Sequence, residues 1–236
     1  MNEEKDKYRI GDRLLITEYP EDRGYEGRTG TILHIDRDGA LEGTWGDEIL
    51  TPSSHDEKYE IVGHEKVPGR IAAEAKKKSL ARTAKLMLWG QLHFAIPRLI
   101  MLHWFREYDA SVDPWIGEGI GILTNVVDDR EPDERRNLTP EGYDEAVAEL
   151  LAAEKFAERY RNALEFFVHA YVEISPKCAV PAPKRPQDDC ARAKRFVAEY
   201  LAWARPLVLA RKKIDCGDAH DLVKTKVLEM MGRIRD

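Results

Sequence analysis

The chain has 236 residues, of which 43% are hydrophobic and 34% charged, with a formal net charge of −6. These proportions exclude a disordered chain, and the length suits a small module joined to one sizeable core. Three cysteines, Cys178, Cys190 and Cys216, are too few and odd in number for a disulfide framework, and "MNEEKDKY" has no apolar signal region, so a reducing, cytoplasmic setting is expected.

The net charge hides an asymmetry. Residues 1–66 hold 9 Lys and Arg against 17 Asp and Glu, a balance of −8, and the remainder carries +2. Affinity for nucleic acid comes largely from Lys and Arg displacing counterions, so the acidic N-terminal part argues against a phosphate-binding role there.

The first element is a strand, "DRLLIT" at 12–17, opened by Gly11. "TGTILHID" at 29–36 has the period of two of a half-buried strand, placing Thr31, Leu33 and Ile35 on one face and Ile32 and His34 on the other. "DRDG" supplies the Asp and Gly of a tight turn, "ALEGTW" returns as a third strand, "EILT" is a short fourth and "KYEIV" at 58–62 a fifth. Five short strands with glycine-bearing turns predict a small closed or nearly closed barrel, since closure removes exposed edges.

"GDRLLI" followed by "YEGRTGTILHIDRDGALEGTW" resembles the SH3-like and KOW-type barrels, and is similar to small barrels of phage and mobile-element proteins of bacteria. The resemblance covers 1–66, and implies a binding module. Its acidic balance departs from the nucleic-acid-binding members, which leaves a protein as the expected partner. Tyr19, Tyr25 and Trp45 are the aromatics available for a binding face, while Trp45 is better suited to plugging the barrel core.

Residues 67–236 read as an all-α bundle, which makes the fold class α+β. The tract 67–109 is a long helix with Gly90 and Pro97 as its candidate break and bend. From Leu86 to Phe105 it is apolar nearly all round, but Gln91, His93, Arg98 and His103 interrupt it, so a core helix is expected rather than a membrane span. Thr139 is a suitable N-cap before Pro140 and Glu141. The stripe from Tyr143 through Val147, Leu150, Leu151, Ala157, Tyr160, Leu164, Phe167 and Val168 to Tyr171 predicts one helix of about 35 residues, roughly 50 Å long. "SPKCAVPAPKRPQDD" at 175–189 reads as a proline-rich connector. Phe196, Val197, Tyr200, Leu201, Ala204 and Val208 form a further stripe with a kink expected at Pro206. The last helix, from near Asp218, uses Leu222, Val223, Val227, Met230, Met231 and Ile234.

Few residues point to chemistry. "GEGIG" at 117–121 lacks the preceding strand and the Lys of a phosphate loop and reads as an inter-helix loop. Asp128, Asp129, Glu131, Asp133 and Glu134 could serve a hard cation or an acid–base step, but Arg130, Arg135 and Arg136 interleave with them, as on a solvated loop. Cys216 and His220 lie four apart, and Cys178 and Cys190 could complete a zinc set, though without a CxxC knuckle. His93 and His103 read as core or rim histidines. No cofactor is indicated.

The strongest basic run, Lys76, Lys77, Lys78, Arg82 and Lys85, suits a solvated helix face, a nucleic-acid or acidic-protein patch, a membrane surface, or docking against the acidic barrel. The expected function is a non-enzymatic interaction protein of phage or mobile-element type. It would bind a protein, such as a basic nucleic-acid-binding one, and would suit an inhibitor of a host nucleic-acid-targeting defence system. The alternatives are a nucleic-acid-binding protein using the 76–85 helix and a metal-dependent enzyme.

Overall fold

A computed structural model of the chain describes residues 7–19, 23–46, 49–52, 57–108, 113–127, 136–174, 186–210, 214 and 216–233. Among the described residues the architecture is α+β: a four-stranded antiparallel N-terminal sheet followed by six helices. Two compact units divide it, Met1–Arg82 and Thr83–Asp236.

Strands β1 (Asp12–Glu18), β2 (Thr29–Ile35), β3 (Leu41–Gly43) and β4 (Lys58–His64) lie in the order β3-β2-β1-β4. Among the described residues the sheet is not closed. "EILT" contributes a single antiparallel bridge, Leu50 to Leu41, in place of a full fourth strand. Pro52 follows it directly and has no N–H to extend a ladder. "KYEIV" forms β4, pairs with β1 and runs on to His64.

Strict alternation in β2 also gives way. Ile32 is fully buried in the sheet core with Leu14, Ile16, Leu41 and Leu50, yet its neighbours Gly30 and Thr31 are buried too. Trp45 lies on Gly30, Thr44 Oγ accepts a hydrogen bond from the Thr31 N–H, and the Thr31 hydroxyl donates to Glu65. Chain segments outside the strands therefore cover what alternation assigns to solvent. The turn at 36–40 forms as expected: Asp36 Oδ1 accepts from the Asp38 and Ala40 N–H groups, and Gly39 takes φ +93°.

Helix α1 (Gly69–Tyr108) is continuous through Gly90 and contains Pro97. Its residues Leu99–Trp104 are all buried, as a core helix requires, but Leu86 and Phe94 stay exposed, Phe94 at 67%. Among the described residues no helix is long and apolar enough to cross a membrane.

Helix α2 (Asp113–Val127) overturns the loop expected at "GEGIG". Each glycine costs a helix about 1 kcal/mol relative to alanine, but burial of Ile120, Leu123, Val126 and Val127 outweighs that, and Gly119 lies against Leu102.

The predicted 35-residue helix is two helices, α3 (Pro140–Leu150) and α4 (Ala153–Ile174). The buried positions step 143, 146, 150 and then resume at 156, 160, 163, and the six-residue gap throws the stripe out of phase. A turn at 151–152 brings both stripes onto one core. The cap is as expected: Thr139 Oγ accepts from the Gly142 N–H at 3.0 Å.

Helix α5 (Pro186–Leu209) begins inside the "SPKCAVPAPKRPQDD" tract and contains Pro206; 175–185 lie outside the described residues. Helix α6 (Cys216–Arg233) buries Ala219, Val223, Val227, Met230 and Met231, leaves Leu222 exposed, and packs with α5 on α2; Ile234 lies outside the described residues. Side-chain hydroxyls tie the layers: Tyr143 donates to the Leu201 carbonyl at 2.7 Å and Tyr200 to the Leu123 carbonyl at 3.1 Å. Burial raises both phenols far above their usual range, so they remain donors.

Candidate functional site

Two features of the N-terminal unit offer binding surface. The first is the edge strand β4. Its ends are pinned to β1: Lys58 Nζ meets Glu18 at 2.7 Å, the Thr17 hydroxyl donates to the Lys58 carbonyl at 2.9 Å, and His64 Nδ1 lies 2.9 Å from Asp12. Between the pins the register slips, from Leu14 opposite Ile61 to Arg13 opposite Gly63, which leaves Val62 in a bulge. Ile61 and Val62 are consecutive, yet 48% and 50% exposed. Two adjacent large aliphatics in solvent on a sheet edge are what monomeric proteins avoid.

The second feature is a cleft of about 550 Å³. One wall is the i, i+4 row Arg70, Glu74, Lys78, Arg82 of α1, with Ile71 and Ala75 beside it. The other wall is Leu33, Glu42, Gly43 and Gly46. Glu42 is only 9% exposed, and its carboxylate accepts a hydrogen bond from Arg82 Nη1 at 3.0 Å. Arg70 and Lys78 make no ion pair among the described residues.

The residues expected at a site are dispersed. Tyr19 and Trp45 are buried in the sheet core, and Tyr25 is half-buried with its ring 5.5 Å from that of Tyr19 and the Arg28 guanidinium 4.2 Å above it. Of the three, only Tyr25 has surface to offer. Lys76 and Lys77 are exposed, Lys78 and Arg82 line the cleft, and Lys85 pairs with Glu145 at 2.7 Å. Docking of the basic helix against an acidic strand thus occurs through Arg82. Sequence reasoning missed Glu42, Arg70 and the Ile61–Val62 edge. The fourfold spacing from Arg70 to Arg82 was a usable signal; nothing local marks Glu42.

In the helical unit, His103 on α1 is buried, with Nε2 3.5 Å from Asp189 Oδ1 on α5, a long electrostatic contact. The Tyr160 hydroxyl donates to Asp189 Oδ2. Burial alone would raise the Asp189 pKa, but His103 and Tyr160, with Arg192 4.0 Å away, hold it below the usual carboxylate range. This cluster joins α1, α4 and α5 inside the core. His93 is exposed and stacked on Trp89. His220 lies 3.7 Å from Asp221. Residues 128–134, Cys178 and the Cys216 side chain lie outside the described residues. Among the described residues no group of three His, Cys, Asp or Glu is placed to hold a metal ion.

No protein-family model matches the chain, and neither a curated protein nor a solved structure is detectably similar to it.

Proposed function

We propose that the chain is a non-enzymatic interaction protein whose N-terminal unit, an SH3-like barrel variant, binds a protein partner by adding an extended segment of that partner to β4. The observation that carries this reading is the pair Ile61 and Val62, both half-exposed on a seven-residue edge strand. An edge strand supplies unpaired main-chain groups that suit an extended segment, and the aliphatic side chains supply burial. The balance of −8 over residues 1–66 selects a basic segment. The strand order, with the Leu41–Leu50 bridge extending it beyond β3, supports the barrel reading. A basic segment is what a nucleic-acid-handling protein presents, so inhibition of a host system that targets nucleic acid is the cellular role this reading favours.

Pairing of Arg82 with Glu42 and of Lys85 with Glu145 partly neutralises two of the five basic side chains and so weakens the nucleic-acid alternative. Fluorescence anisotropy of the full chain with a labelled alternating Lys-Val octapeptide tests the proposal. Binding is expected for that peptide and not for its Glu-Val counterpart, with at least about a tenfold loss on Val62→Pro, which bars main-chain pairing there. No binding, or equal binding by the proline variant, overturns it. Salt-sensitive binding of a labelled oligonucleotide that disappears on substituting Lys76, Lys77 and Lys78 by Glu would replace it with the nucleic-acid reading.

A further inference from the structure

We propose that the cleft between α1 and the β2–β3 side of the sheet is a binding site for a small ligand with an apolar body and one anionic group, a carboxylate or a phosphate. It is separate from the β4 edge, and the argument rests on the charge and shape of its own walls.

The Arg82–Glu42 pair at 3.0 Å is internally neutralised. Among the described lining residues, what remains is Arg70 and Lys78 flanking Glu74, a surplus of one positive charge in a unit that is otherwise strongly acidic. Arg70 and Lys78 stand two helical turns apart, about 12 Å at 1.5 Å per residue, a separation that their long side chains can close from either end. Arg82 uses one donor on Glu42 and makes no other hydrogen bond among the described residues, leaving donors of its fork for an anion. A helix ridge with two cations is open to solvent on most proteins; here a second wall faces it and encloses about 550 Å³, the size range of small-molecule sites.

The apolar part of the ligand is set by Leu33, Ile71 and Ala75. Ile71 is 42% exposed and is the lining residue with most to gain from being covered. Gly43 and Gly46 contribute backbone rather than side chains to the opposite wall, beside Leu33 and Glu42. Both are constrained to remain glycine: a Cβ on Gly43 would meet the Trp45 ring at 2.1 Å, and Gly46 has φ +144°. Gly43 is half-buried and Gly46 exposed, so the backbone of this wall is accessible to a ligand.

Ligand-observed NMR on the full chain, with benzoate, phenyl phosphate and neutral benzyl alcohol as probes, tests this. At least one anion should bind, and benzyl alcohol should bind about tenfold more weakly or not at all. A preference for benzoate identifies a carboxylate ligand and a preference for phenyl phosphate a phosphate ester. Replacing both Arg70 and Lys78 by Ala should reduce anion binding at least about tenfold, whereas Lys76→Ala with Lys77→Ala should leave it unchanged. All four positions are exposed on α1, so both double variants should keep their fold, to be checked by circular dichroism. Absence of binding by either anion, equal binding of benzyl alcohol, or equal loss in the two double variants overturns the proposal.

Discussion

Arg82 on α1 donates to the carboxylate of Glu42 on β3 at 3.0 Å, across 40 residues of chain. Glu42 is nearly buried and would stand as an isolated charge without it. Arg82→Ala should destabilise the N-terminal unit by about 1–3 kcal/mol, toward the lower end because the arginine is itself a third exposed. Urea unfolding followed by tryptophan fluorescence measures it, and Arg82→Lys should recover part of the loss.

Gly43 and Trp45 make a second close relationship in the same unit. A Cβ on Gly43 would lie 2.1 Å from the indole ring and 2.5 Å from the Thr31 carbonyl oxygen. Gly43→Ala should cost about 1–3 kcal/mol by displacing Trp45. Gly63→Ala on β4 should be tolerated, because its Cβ would meet nothing closer than 4.0 Å. Thermal melts of the two variants discriminate the outcomes.

The glycines of α2 separate helix from loop. Gly121→Ala faces open space and should raise stability by up to about 1 kcal/mol, a gain that a flexible loop would not give. Gly119→Val should instead cost about 1–3 kcal/mol, since even a Cβ there lies 3.4 Å from Leu102. Opposite signs at positions two apart would locate the packed face of the helix.

Thr139 caps α3 with one hydrogen bond to the Gly142 N–H. Thr139→Ala should lose about 1 kcal/mol, and Thr139→Ser or Thr139→Asp should retain most of the stability. Equilibrium denaturation of the three variants tests this.

Asp189, Tyr160 and His103 predict a pH dependence. Because the folded-state pKa of Asp189 is depressed, its contribution is present above the unfolded value of about 4 and is lost as pH falls through the folded value. Tyr160→Phe should therefore cost about 1–2 kcal/mol at pH 7. The difference from the unmodified chain should shrink as pH falls below the unfolded value and through the depressed folded-state value of Asp189, where the carboxylate becomes protonated in both. Unfolding free energies measured in a series of decreasing pH from 7 show whether it does.

The sequence by itself determined the local elements. A period of two located β2, short apolar runs bounded by turn residues located β1 and β4, Gly39 and Asp36 located a turn, and Thr139-Pro140 marked a helix start, because each depends on dihedral preferences and hydrogen bonds within a few residues. It also separated an acidic β part from a helical part. Tertiary structure decided what local rules cannot reach. Packing against Leu102 and the rest of the helical core made a helix of "GEGIG". A phase slip between Leu150 and Phe156 divided one predicted helix into two, since both stripes had to meet the same core. Burial assigned Trp45 and Tyr19 to the sheet interior, while a register shift put Ile61 and Val62 in solvent. Glu42 and Arg70 joined Lys78 and Arg82 at one cleft only when α1 and β3 came together, a proximity that no spacing along the chain encodes.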